Sequence, residues 1–410
     1  MENSFKFKIL FIMIYFILIL ILERIYNKKL FNISLDIIPK FQIKSSSFDS
    51  FWKIMTFFGT KPGIGAFYII LFLFIPLNKV FTLVFLLLFT GFIDHTFKLV
   101  YLQQRPLWVN NDIDTGTRHA CGYGNPSGHS LSSSCLYLSF WYFISQIIDS
   151  NVINNFIRLT LKYTILILDI LFFLTIMISR LYLGVHSLNQ IVFGFSLGLG
   201  IFLLFLPVLE IYQNSGTEFL SKQYLNRYKQ LLFIIFWIAF FYIFYFCRED
   251  IEKVKESENW EKMCFDQKWS KLLIKASFMG GMSIFIILGM NIGLLFSKRK
   301  IDIEFNSKEE IIINWEKSGF SPRIIRLLFL IIGFSPVGII FLMNTLFNLS
   351  YILYYILTPI IFFLGGFLSF GPFFIFGFKF VIKRFDNSQL YSINNRDNTQ
   401  VIDCSNEIFN

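Results

Sequence analysis

Long apolar runs alternate with short polar connectors along this whole chain. The runs that approach bilayer length are Ile9–Leu22, Gly63–Leu77, Val80–Lys98, Leu131–Ile148, Tyr163–Ile178, Leu188–Leu209, Leu231–Phe246, Ala276–Phe296, Leu327–Phe347 and Tyr351–Phe378. A helix needs about 20 apolar residues to cross the hydrocarbon layer. The pattern therefore predicts an all-α polytopic membrane bundle of about nine or ten spans. The last run holds Gly365, Gly366, Gly371 and Pro372, which predicts a kink or a split. The first reads as a signal anchor rather than a cleaved signal peptide, because Glu23, Arg24 and Lys28 follow it without a small-residue cleavage site. No internal repeat is visible. The polar, Asn-rich stretch after Arg384 reads as a disordered tail.

Composition agrees with the pattern and narrows the partners. The 410 residues are 55% hydrophobic and 16% charged, which excludes an ordinary soluble domain. The net charge is +10, but most basic residues stand in loops between apolar runs. That placement points to topology signals and an anionic ligand, not to nucleic acid. The 55 Phe residues read as sequence bias, since lipid tolerates any bulky apolar side chain. Five Cys do not make a disulfide framework; Cys247 and Cys264 share one loop and are open to pairing or to remaining thiols. No His/carboxylate cluster has metal-ligand spacing, so neither metal nor cofactor is implied.

Three short strings carry the chemistry. Lys98 precedes Arg105-Pro106; Pro126-Ser127-Gly128-His129 follows; Ser179-Arg180 then precedes His186. Span counting brings all three to one side of the membrane, where four helix ends converge. Lys98, Arg105 and Arg180 suit a phosphate clamp, since Arg offers a planar fork and Lys a compact charge. Ser127 and Gly128 are placed at a helix start whose free N–H groups attract an anion, with Pro126 suited to its first position. Gly128 would let the backbone approach the phosphate, while Ser127 is equally a plain cap. His186 is read as a nucleophile able to form a phosphohistidine. His129 is read as the acid for the leaving oxygen and then the base for water. Asp94 and Lys98 are four apart on a helix and suited to pair. His95 and His119 lack such context, and Asp169, buried in a span, has no assigned role.

Sidedness follows from the loops. Lys298-Arg299-Lys300, Arg323, Arg326, Lys379, Lys383 and Arg384 mark the opposite face as cytosolic. The sequons Asn32-Ile33-Ser34 and Asn348-Leu349-Ser350 fall on the side of the three strings. A lumenal or extracytoplasmic site is expected, in the endoplasmic reticulum or another endomembrane.

At these residues the chain resembles the type 2 phosphatidic acid phosphatase superfamily, which includes the vanadium haloperoxidases. The resemblance covers roughly Phe51 to Leu209. It implies a metal-independent phosphatase with a six-helix core, extra N- and C-terminal transmembrane helices, His186 as nucleophile and His129 as acid. Lys98, Arg105, Ser127, Gly128 and Arg180 are implied to bind phosphate. On this reading residues 1–50 are an N-terminal anchor and lumenal segment, 51–211 the phosphatase core, 212–384 a C-terminal transmembrane region and 385–410 the tail. One position departs: Gln190 stands four residues after His186, where the family pattern has Asp. A Gln carbonyl can orient the ring but brings no charge. Glucose-6-phosphatases look similar at that position and at Gln104-Arg105-Pro106-Leu107-Trp108, whereas Gly184-Val185-His186-Ser187 is closer to the sphingosine-phosphate phosphatases.

The leading expectation is an integral-membrane phosphomonoesterase acting on a lipid phosphate, of sphingoid-base or phosphatidate type. A glucose-6-phosphatase-like sugar-phosphate hydrolase is the alternative. A non-catalytic protein that binds an anionic lipid is the third reading, supported only by Gln190. The implied partners are a phosphorylated lipid or sugar phosphate and the bilayer, without nucleic acid.

Overall fold

The structure is a computed structural model of the chain. It describes residues 2–42, 45–60, 63–67, 77–114, 122–214, 281–304, 320–333 and 351–373, with isolated positions at 235, 238–239, 335–337, 339 and 375–376. Regular structure among these residues is helical throughout. In chain order the helices are α1 (Glu2–Phe41), α2 (Ser46–Phe57), α3 (Leu77–Tyr101), α4 (Pro106–Val109), α5 (Gly128–Asn151), α6 (Asn155–Tyr182), α7 (Leu188–Asn214), α8 (Ser283–Glu304), α9 (Phe320–Gly333) and α10 (Tyr351–Phe370). The chain divides into two compact units, Met1–Ile287 and Leu288–Asn410.

Among the described residues, 5 helices are long and apolar enough to cross a membrane, all in the first unit. They cover Leu10–Phe41, Thr82–Val109, Gly128–Asp149, Asn155–Tyr182 and Leu188–Leu206. The chain is thus an integral membrane protein with an all-α fold. The apolar runs at Val80, Leu131, Tyr163 and Leu188 lie within α3, α5, α6 and α7. Two helices reach further than their runs. α6 starts at Asn155, where Asn154 Oδ1 caps Ile157 N at 3.1 Å. Its polar first turns hid this start, and Lys162 is neutralised there by Asp149 at 2.7 Å. α1 continues past Leu22 to Phe41, because Glu23 and Ser34 are buried, not solvated. The run Leu231–Phe246 lies almost wholly outside the described residues, as do most of Gly63–Leu77, Cys247, Cys264, His119, Asn348 and the tail after residue 376.

α5 is the central helix of the first unit and packs against α7, α6 and α3, while α1 lies along α7. The α5–α7 contact is made close by small residues. Ser127, Ser130, Ser133, Ser134 and Ser139 on the α5 side are buried. Gly194 of α7 faces the Ser127 backbone, and Gly198 faces Ser134 and Leu131. Such close approach is how helices associate in lipid, where apolar burial drives nothing. Two of the hydroxyls are satisfied by back-bonding: Ser134 Oγ donates to Ser130 O at 2.8 Å and Ser139 Oγ to Cys135 O at 2.7 Å.

The second unit uses the same device. Gly289 and Gly293 of α8 lie against the backbone of α10 near Phe363 and Phe367. Ser297 Oγ donates to Phe370 O at 2.7 Å and to Gly371 O at 3.1 Å.

Candidate active site

The site is assembled where α3 and α6 end and α5 and α7 begin. The α6–α7 turn comes first. Gly184 takes φ +67, a left-handed conformation that L side chains rarely adopt, and a Cβ there would collide with Ile113. The turn delivers His186, 2% exposed, just before α7. His186 Nδ1 lies 3.0 Å from Gly124 O and 3.1 Å from Gln190 Oε1. His186 Nε2 lies 3.2 Å from Arg105 Nη1. A guanidinium has no acceptor, so Nε2 must offer its lone pair and the ring proton sits on Nδ1. The Gln190 amide is oriented independently. Its Nε2 donates to Gln104 O at 2.8 Å, and its Oε1 also accepts from Ser187 N at 3.3 Å.

Arg105 is locked by three backbone carbonyls. Nε donates to Gly122 O (2.5 Å), Nη1 to Val185 O (2.9 Å) and Nη2 to Tyr123 O (3.3 Å). Lys98, in the last turn of α3, pairs with Asp94 Oδ2 at 2.8 Å, as their spacing predicts. Arg180, in the last turn of α6, donates from Nη1 to Thr56 Oγ1 of α2 at 2.5 Å. Burial holds the His186 pKa well below its usual value, with Arg105, Arg180, Lys98 and His129 adding to the depression. Every cation and imidazole picked out of the three strings is therefore close enough to act on this one ring.

Ser127 is the N-cap of α5: its hydroxyl accepts from Ser130 N, and the helix starts at Gly128. Pro126 consequently stands before the cap, not at the first helical position; its peptide bond to Asn125 is cis. Gly128 lies close to Asp94 of α3. A Cβ there would stand 2.6–2.9 Å from the Asp94 carboxylate atoms, so the close approach is to Asp94. His129 Nε2 is buried with no hydrogen-bond partner. Its ring lies against Gly59, at the end of α2.

A buried polar network from α1 braces the strings from behind. Glu23 accepts from Asn27 and, at 2.9 Å, from Asn125 Nδ2. Asn27 Oδ1 accepts from Gln103 Nε2 at 2.6 Å, and Gln103 Oε1 from Asn189 Nδ2 at 2.9 Å. Gln103 O also accepts from Gly124 N at 2.8 Å. Glu23, Asn27, Gln103, Asn125, Asn189, Thr56 and the Gly124 carbonyl all escape a reading of the sequence. Only Asn125, adjoining Pro126-Ser127-Gly128-His129, carried a local hint. Asn32 meanwhile drops out of the sidedness argument: it lies within α1, and Ser34 is buried, its hydroxyl accepting from Leu188 N at 2.8 Å.

His95 Nε2 stands 3.9 Å from Asp94 Oδ2. Asp169 is 8% exposed and its Oδ2 has no hydrogen-bond partner. Among the described residues no group of three His, Cys, Asp or Glu side chains is placed to hold a metal ion.

The ends of the membrane-spanning helices thus gather three cations and two imidazoles in one place. Residues 79–212, which contain all of these groups, match the family described as PAP2 superfamily. Phosphatidylglycerophosphatase B of Bacillus subtilis (strain 168) is 35% identical over 86 residues, which are 21% of this chain and 39% of that protein. The match thus spans about two fifths of that relative's length. The crystal structure of a transmembrane PAP2-type phosphatidylglycerolphosphate phosphatase from Bacillus subtilis covers 48% of this chain and 96% of its own, at 21% identity and a TM-score of 0.40.

Proposed function

We propose that this chain is a membrane phosphomonoesterase that hydrolyses a lipid phosphate through a phosphohistidine on His186. The observation that carries the reading is the His186 ring itself. Its proton is held on Nδ1 by two carbonyl oxygens, and its Nε2 lone pair faces the Arg105 guanidinium. A phosphate drawn to that guanidinium meets a neutral nitrogen nucleophile, already oriented.

Nε2 attacks phosphorus, and the bond to the leaving alcohol breaks. His129 gives its Nε2 proton to the departing oxygen. The charge on the equatorial oxygens falls on Arg105, Arg180 and Lys98. His129, now neutral, takes a proton from water, whose oxygen attacks phosphorus and releases His186 and phosphate. Gln190 and Gly124 stabilise the imidazolium-like ring by dipoles alone, since no carboxylate stands behind it.

A lipid phosphate is favoured because the site lies at the ends of spanning helices and because the similar relative is named for phosphatidylglycerophosphate. The test is phosphate release by the detergent-solubilised chain from phosphatidylglycerol phosphate, phosphatidate, sphingosine phosphate and glucose 6-phosphate. Preference for any of the lipids supports the reading. Preference for the sugar phosphate moves the chain to the glucose-6-phosphatase-like alternative, and no release from any of them rejects hydrolysis.

A further inference from the structure

Asp94 is a charge that the mechanism above does not use. It lies on α3, 5% exposed, among groups that are otherwise cationic. On its own helix it faces Lys98 at 2.8 Å and His95 at 3.9 Å. From α5 it meets Gly128, next to His129. Arg105 lies within its electrostatic reach, and Arg180 acts on the Lys98 ammonium it holds.

Its two oxygens are not equivalent. Oδ2 accepts from Lys98, whereas Oδ1 is buried without a hydrogen-bond partner. If Asp94 served only to neutralise and aim Lys98, one oxygen would suffice, and burying the other without a protein partner is costly. Nor does the carboxylate stand in for a ligand on the helix start, because no N–H group reaches Oδ1. The vacant acceptor lies beside Gly128 and Lys98, both within the phosphate strings. A phosphate oxygen without a proton would be repelled there, whereas a donor would be bound.

We propose that Asp94 Oδ1 accepts a hydrogen bond from the bound phosphate ester, so that the site selects a ligand carrying a donor at or beside its phosphate. This rests on the phosphomonoesterase reading. The donor has two sources of the same chemistry: the P–OH of a singly ionised phosphate, or a hydroxyl or ammonium on the adjoining carbon of the leaving group. A phosphorylated glycerol or amino-alcohol head group carries the second; phosphatidate carries only the first.

The test uses non-hydrolysable probes, so it does not depend on turnover. Ethylphosphonate and 2-hydroxyethylphosphonate are titrated calorimetrically into the full chain in detergent, from about pH 5 to 8, across the second ionisation of the phosphonate. Wild type is compared with Asp94→Asn. In that variant Lys98, a pure donor, claims the amide oxygen and leaves the NH₂ group where Oδ1 stood. If the donor is on the leaving group, wild type prefers the hydroxyl probe by roughly 10-fold or more, and Asp94→Asn loses that preference. If it is P–OH, both probes bind wild type more tightly on the acid side, and the variant loses that dependence instead. Equal weakening of both probes at every pH leaves Asp94 as a holder of Lys98 and overturns the proposal, as does no change. Should the variant not fold, wild type alone decides: no hydroxyl preference and no acid-side gain refutes it. Binding with the expected preference but no phosphate release from any ester would refute the phosphomonoesterase reading while sustaining this one.

Discussion

At the scale of the residue, the site turns on how a neutral side chain holds the His186 ring. Gln190 offers His186 an oxygen at 3.1 Å while anchoring its own nitrogen on Gln104 O at 2.8 Å. Gln190→Glu keeps the length but places a carboxylate there. The imidazolium would be favoured, and the acid limb of the kcat/KM profile should move to higher pH. The second Glu oxygen would face Gln104 O, so a lower melting temperature should accompany the shift. Gln190→Leu leaves Ser187 N and Gln104 O without their partner, and kcat/KM should fall roughly 10-fold or more. A Gln190→Leu profile that overlays wild type would show that Gln190 does not steer His186. The same ring sets a stability term. Its folded pKa lies below the unfolded value of about 6.5, so the unfolded chain binds the proton more readily. That contribution is intact above about pH 6.5 and is lost as pH falls below it. The melting temperature should therefore drop less between neutral and acid pH in His186→Asn than in wild type; identical slopes would exclude this origin.

At the scale of the element, what could be read from the chain was whatever repeats at fixed spacing. Lys98, Arg105, Ser127, His129, Arg180 and His186 stand in short strings, and the bodies of α3, α5, α6 and α7 are long, predominantly apolar runs. The groups that orient these residues were hidden, because their partners are distant. Asn125 and Glu23 are separated by 102 positions, and Arg180 and Thr56 by 124. No local pattern marks such a pair, and Glu23 looked like the polar flank of a short anchor. Two variants test this bracing. Glu23→Ala strands the Asn27 and Asn125 amides, at a cost of about 1–3 kcal/mol for the buried Asn125 donor, and should lower both melting temperature and kcat. Glu23→Gln keeps an accepting oxygen and should recover most of that loss. Gly124→Ala puts a Cβ 2.5 Å from both heteroatoms of the Gln190 amide. It should reduce kcat more than it changes KM, since it disturbs the ring's support and not the clamp. Equal effects on both constants would argue that Gly124 helps bind the substrate.

At the scale of the whole molecule, the helix ends set a polarity across the membrane. α5 starts at the site and runs away from it, and α6 returns, so the turn through Ile153 lies at the far end from Asp112, near the site. Both residues are exposed. In a chain whose five native cysteines are replaced, a cysteine introduced at each should label from opposite faces with an impermeant thiol reagent. Labelling of the Asp112 site from the extracytoplasmic face would match the sidedness expected from the basic loops. Labelling of both from one face would contradict the bundle. The central claim, that His186 Nε2 takes the phosphoryl group, is tested most directly by trapping. Wild type mixed with a ³²P-labelled lipid phosphate and quenched within milliseconds into alkaline denaturant, where phosphohistidine survives, should carry label on the peptide containing His186. His186→Ala, still folded and membrane-inserted, should carry none. Turnover of the same substrate with no label on wild type, or equal label on both proteins, would contradict it.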